Sequence, residues 1–105
     1  MAFQIGASLL DACVLAILSR GEAYGYILTQ NIKGVIEVSE STLYPVLRRL
    51  QKDEMLSCDD RPFAGRNRRY YAITGKGAEA LENYLREWKA YKDSIDRVLF
   101  GEDRE

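Results

Sequence analysis

Ser39-Glu40-Ser41-Thr42-Leu43-Tyr44-Pro45-Val46-Leu47-Arg48-Arg49-Leu50-Gln51-Lys52 is the stretch on which the reading of the fold turns. Leu43, Val46, Leu47 and Leu50 recur at i, i+3, i+4 and i+7, which puts them on one face of a helix. At about 100° per residue, Ser41, Pro45, Arg48 and Lys52 fall opposite, with Tyr44 and Arg49 on the flanks. Ser41 or Thr42 is a natural N-cap, because a side-chain oxygen there satisfies a free backbone N–H. Pro45 then fits in the first turn, where its missing N–H is not needed. The outer side of this helix offers hydroxyls, a tyrosine and two arginines.

Upstream, residues 6–20 form a helix on Leu9, Leu10, Cys13, Val14, Ile17 and Leu18, with Gly21 as its stop. Leu15 and Ala16 widen its apolar surface, so it is buried on more than one side. In so small a protein the second side can belong to another subunit. The run at 9–18 lacks a basic leader, contains Asp11 and is too short to span a bilayer, so a buried helix is expected there rather than a signal peptide. No membrane partner is expected. A second helix is expected over residues 23–33, ended by Gly34, and residues 34–38 read as a short turn with some extended character.

Downstream, residues 55–60 and 68–73 read as two strands. The segment between them, with Pro62, Gly65 and Asn67, reads as a loop whose tip carries Arg66, Arg68 and Arg69. A last helix runs from the N-cap Thr74 to about residue 100, its start weakened by Gly75 and Gly77. Leu81, Tyr84, Trp88, Tyr91, Ile95 and Val98 follow a 3-4-3-4-3 spacing, the a/d seam of a coiled coil. At about 1.5 Å per residue this helix is longer than a small domain needs, so a homodimer is expected.

The chain has 105 residues, one domain's worth, with 47% apolar and 30% charged residues, which excludes disorder. Its net charge of −1 alone argues against a nucleic-acid partner. The charge is segregated, however. Residues 41–76 hold eight basic and four acidic groups, net +4, against −2 before them and −3 after. There is no histidine, and Cys13 and Cys58 form no C-x-x-C pair. Histidine catalysis, zinc ribbons and thioredoxin-type motifs are therefore excluded, and a cytoplasmic location is expected. Buried paired carboxylates and a phosphate-cradling glycine loop are also missing from the pattern, so an enzyme is not expected, nor a cofactor or metal.

Three helices, a basic hairpin and a long helix make a mainly α chain with a small β-hairpin: a winged helix-turn-helix plus a C-terminal dimerisation helix. Residues 1–74 are expected to bind DNA and residues 75–105 to dimerise, in one structural unit. In this architecture the third helix enters the major groove and the wing touches backbone or minor groove.

Tyr24-Gly25-Tyr26-Ile27-Leu28, Ser41-Thr42-Leu43-Tyr44-Pro45-Val46-Leu47-Arg48-Arg49-Leu50 and Gly65-Arg66-Asn67-Arg68-Arg69-Tyr70-Tyr71-Ala72-Ile73-Thr74 resemble the PadR family of bacterial transcriptional regulators. The chain resembles the small subfamily with a single C-terminal helix. It departs in having Asp53-Glu54-Met55 where an acidic–glycine turn is usual, and in a short wing.

The resemblance implies a homodimeric repressor on a pseudo-palindromic double-stranded operator. Its DNA-facing residues would be Tyr24, Ser41, Thr42, Tyr44, Pro45, Arg48, Arg49, Gly65, Arg66, Asn67, Arg68 and Arg69. Its interface, with the last helix of one subunit on the first helix of the other, would use Leu10, Val14, Leu81, Tyr84, Trp88, Tyr91, Ile95 and Val98. Family members are often relieved from DNA by a phenolic acid or a flat hydrophobic drug. Trp88 stands where a drug-responsive member has a tryptophan lining its dimer pore, with Leu10, Val14 and Leu85 as walls for a small aromatic effector. Trp88 as a mere filler of the seam is the other reading. A winged-helix module that binds protein rather than DNA is the alternative function.

Overall fold

The helix α1 (Ala7–Leu18) is the centre of the molecule and packs against every other helix and the sheet. The structure is a computed structural model that describes residues 6–101; the outermost residues of both expected segments, 1–5 and 102–105, lie outside it. After α1 come β1 (Ala23–Tyr24), α2 (Gly25–Lys33), α3 (Glu40–Lys52), β2 (Leu56–Phe63), β3 (Arg66–Ile73) and α4 (Gly75–Phe100). This is a winged helix-turn-helix with a long C-terminal helix, the fold class read from the sequence.

The core joins Leu10, Val14, Leu15 and Leu18 of α1 to Leu28 and Ile32 of α2 and to Leu43, Val46, Leu47 and Leu50 of α3. Leu56, Tyr71 and Leu81 close it from the sheet and α4. The apolar stripe of α3 is fully buried and its opposite row fully exposed, as the spacing requires. Its cap differs from expectation. Ser39 is the N-cap, its Oγ accepting from the Thr42 N–H at 3.3 Å. The helix therefore begins two residues earlier, and Pro45 lies past the first turn. The N–H that a residue at 45 would donate to the Ser41 carbonyl is absent.

The three-stranded antiparallel sheet has the order β1-β3-β2. The sequence reading missed β1 and began the second helix at Ala23. Ala23 and Tyr24 instead pair with Tyr71 and Tyr70 of β3, a two-residue strand too short to show alternation. The wing also differs. Pro62 and Asn67, expected in a loop, face each other across the ladder. Only Ala64 and Gly65 turn, with φ of 52° and 79°, the pair of positive φ values that a two-residue hairpin of native twist needs.

The break after α3 explains how the chain does without the usual glycine. Met55 N–H reaches the Leu50 carbonyl at 2.9 Å and Glu54 N–H the Gln51 carbonyl at 3.0 Å. This is a Schellman end, and Glu54 takes the left-handed position with φ 64°. Thr74 caps α4 as expected, accepting from Gly77 N–H at 3.0 Å, and donates its own hydroxyl to the Glu54 carbonyl at 2.7 Å. Gly77 is needed for a close approach: a Cβ there would stand 2.2 Å from the Met55 carbonyl oxygen.

Candidate nucleic-acid interface

The outer row of α3 is Ser41, Pro45, Arg48 and Lys52, all exposed. The Ser39 hydroxyl lies 2.9 Å from that of Ser41 and 3.0 Å from that of Thr42, so three hydroxyls gather at the helix N-terminus. Backbone N–H groups and the positive dipole end make such a place favourable to phosphate. Glu40, next to the cap, accepts from Gln30 Nε2 at 3.2 Å and Lys33 Nζ at 3.3 Å. Those bonds tie α2 to α3 at the rim of their shared core. Tyr44 is half-buried and packs on the core.

Pairing within the protein sorts the basic residues. Arg61 forks onto Glu22 at 2.7 and 2.8 Å and also reaches Asp59 at 2.8 Å. Arg69 bonds Asp60 at 3.0 Å. These hydrogen bonds hold the Glu22 and Asp60 carboxyls below the usual carboxylate range and raise both guanidiniums. Arg68 lies over the rings of Tyr24 and Phe63, at 4.5 and 3.7 Å from their centroids. Tyr24 in turn meets Tyr70 at 5.8 Å, so Tyr24 is a stacking platform beneath the wing. Among the described residues, Arg48, Lys52 and Arg66 have no ion pair.

Strand alternation divides the expected arginine cluster. Arg66, Arg68 and Tyr70 point to one face of β3, while Asn67 and Arg69 share the other with buried Tyr71. The two-residue turn leaves Gly65 and Arg66 exposed at the tip. Lys52, outside the expected set, stands one turn beyond Arg48 on the same exposed row.

Arg49 stands apart from the rest of the expected set. Its Nη1 donates to Asp11 Oδ2 at 3.0 Å and its Nη2 to Asp11 Oδ1, which turns the fork inward against α1. The hydroxyl of Tyr84 donates to the same Oδ2 at 3.0 Å. The Asp11 carboxylate raises the Arg49 guanidinium by hydrogen bonding, and burial raises the Tyr84 hydroxyl. No sequence pattern signalled this contact, since 38 residues separate its ends.

The expected interface residues need one correction. Leu10 and Val14 are 2% and 0% exposed, so they face their own core and cannot meet a partner or line a pocket. Half-buried Leu9 and buried Ala12 lie on the side of α1 that faces α4 instead. They line a groove of about 430 Å³ with Gly6, Ser8, Tyr84, Glu87, Trp88 and Tyr91. Leu85, expected as a wall, does not line it. Leu81 is buried and Tyr84 half-buried in the domain, whereas Trp88, Tyr91, Ile95 and Val98 are exposed. Among the described residues no helix is long and apolar enough to cross a membrane.

The Transcriptional regulator PadR-like family matches residues 14–83. The transcriptional regulator Rv3488 of Mycobacterium tuberculosis is 43% identical over 82 residues, 77% of this chain and 74% of that protein. A protein of Streptococcus mutans UA159 has a crystal structure that superposes with a TM-score of 0.88 at 38% identity, covering 100% of this chain and 99% of that one. A PadR-like transcriptional regulator of Bacillus cereus superposes with a TM-score of 0.77 at 36% identity, covering 90% of this chain and 94% of that one. Fold, helix-turn-helix and sequence agree, and the chain belongs to the PadR-like family of transcriptional regulators, a family of DNA-binding regulators and not of enzymes.

Proposed function

We propose that the protein is a sequence-specific repressor acting as a homodimer on a pseudo-palindromic operator. The exposed row Ser41, Pro45, Arg48 and Lys52 carries this reading, since polar and basic groups occupy the face that a protein-binding module would make apolar. Ser41, Thr42 and Arg48 enter the major groove, with Pro45 close to the bases. Arg66 and the Gly65 turn at the wing tip lie along backbone or minor groove, while Asn67 and Arg69 sit on the other face of β3, with Arg69 held by Asp60. Arg68 and Tyr24 brace the wing, and half-buried Tyr44 supports the helix from behind. Phosphate contacts supply salt-dependent affinity and the groove contacts supply sequence.

The homodimer is supported by the exposed seam Trp88, Tyr91, Ile95 and Val98, which wants apolar cover. The outer side of a second copy's α1, with Leu9, Cys13 and Ala16, supplies it. The partner then sets the two α3 helices about 34 Å apart, one turn of DNA. A small planar aromatic effector would stack on Trp88 in the groove beside Leu9 and Ala12, and would relieve repression by favouring a dimer of different spacing.

A mobility-shift titration on the duplex upstream of its own gene tests the reading. Binding that exceeds that of a scrambled duplex and weakens with salt supports it. Equal, weak binding to both favours the protein-interaction module. Quenching of Trp88, the one tryptophan, by planar aromatics tests the effector separately.

A further inference from the structure

We propose that Asp11 is a positioning residue for DNA recognition: through Arg49 it fixes the rotational setting of α3 against α1, while Tyr84 couples that setting to the Trp88 groove. This rests on the DNA-binding reading above. Asp11 is 4% exposed, and its carboxylate is answered by one fork and one hydroxyl. A buried carboxylate is sustained only when its charge and lone pairs are met, so these three side chains hold one another in place.

Geometry gives the contact its meaning. The leucines of α3 face the core through apolar contacts, which are non-directional and tolerate a small roll of the helix. A bidentate guanidinium–carboxylate pair is directional and does not. Arg49 is the residue after Arg48, so whatever fixes Arg49 fixes the direction in which Ser41, Arg48 and Lys52 point. The pair also consumes the Arg49 charge, which leaves Arg48 and Lys52 as the unpaired cations of α3 among the described residues. The Tyr84 ring lines the groove with Trp88 while its hydroxyl sits on Asp11. Movement of α4 in that groove therefore has a polar route to α3 through the Asp11 carboxylate, beside the apolar contact of Leu81 with the core.

The test compares a duplex that the unmodified protein selects from a random library with a scrambled duplex of the same composition. Asp11→Asn is expected to weaken binding to the selected duplex at least tenfold. Its affinity for the scrambled duplex should stay within about twofold and its salt slope should not change, because phosphate contacts are kept. Tyr84→Phe, which removes one hydroxyl and keeps the ring, is expected to weaken selected binding about threefold and to add nothing in an Asp11→Asn background.

A loss of fold alone would move both duplexes together, so the ratio of the two affinities reports positioning. If Asp11→Asn does not fold, Tyr84→Phe decides by the same ratio. Unchanged ratios overturn the inference and leave the DNA reading standing. Tighter binding of Asp11→Asn to both duplexes, with a salt slope steeper by about one per protomer, also overturns it, since Arg49 would then be a phosphate ligand held back by Asp11. Failure of the unmodified protein to select any duplex overturns both.

Discussion

Glu54 occupies a backbone position that a side chain ordinarily avoids, with φ 64° at the end of α3. The left-handed region costs a non-glycine residue about 1 kcal/mol. Glu54→Gly is expected to stabilise the protein by about 1 kcal/mol, read as a rise of about 4 °C in Tm. DNA affinity should be unchanged, since the hydrogen bonds there belong to the backbone. At the same scale, the wing arginines separate into two roles. Arg66→Ala should lower the salt slope of DNA binding by about 0.9 per protomer with little change in Tm. Arg68→Ala should instead lower stability by about 0.5–1 kcal/mol for each of its two ring contacts, measured by thermal unfolding.

Between elements, a few close contacts decide the assembly. The first turn of α4 passes so near the end of α3 that Gly77 has no room for a methyl group. Gly77→Ala is expected to cost about 1–3 kcal/mol in denaturant unfolding, because the obstacle is the Met55 backbone carbonyl and not a flexible side chain. The elements α1, α3 and α4 were legible in the sequence through apolar spacing and the Thr74 cap. The wing's length and β1 were not. Pro62 and Asn67 are turn-forming residues, yet the ladder extends past both, and β1 exists only because β3 offers it an edge. The Arg68 and Arg69 cluster at the tip was likewise an artefact of sequence neighbourhood, since successive strand residues face opposite ways.

At the scale of the whole molecule, α4 extends an elongated shape of 62 × 32 × 20 Å and carries its apolar seam beyond the domain. Replacing Trp88 and Ile95 together by glutamate should give a folded monomer in sedimentation, with operator affinity lowered at least tenfold. A dimer that persists would sink the seam assignment. The net charge of −1 reads differently at this scale too. Part of the central +4 surplus is answered by carboxylates from outside it, Glu22 on Arg61 and Asp11 on Arg49, while Asp59 and Asp60 inside it hold Arg61 and Arg69. The positive surface proposed for DNA is therefore smaller and more sharply placed than the count of arginines suggested.

The sequence by itself determined the helical phases, the order of the elements and the family, because spacing and local motifs carry that information directly. It also determined that α3 shows polar and basic groups outward. Only the tertiary structure decided which charges remain free. Ion pairing depends on residues far apart in the chain, as Asp11 and Arg49 are, and no local pattern records it. The same holds for Leu10 and Val14. Their helix was legible, but which of its apolar sides met the domain's own core was set by packing against α2, α3 and α4.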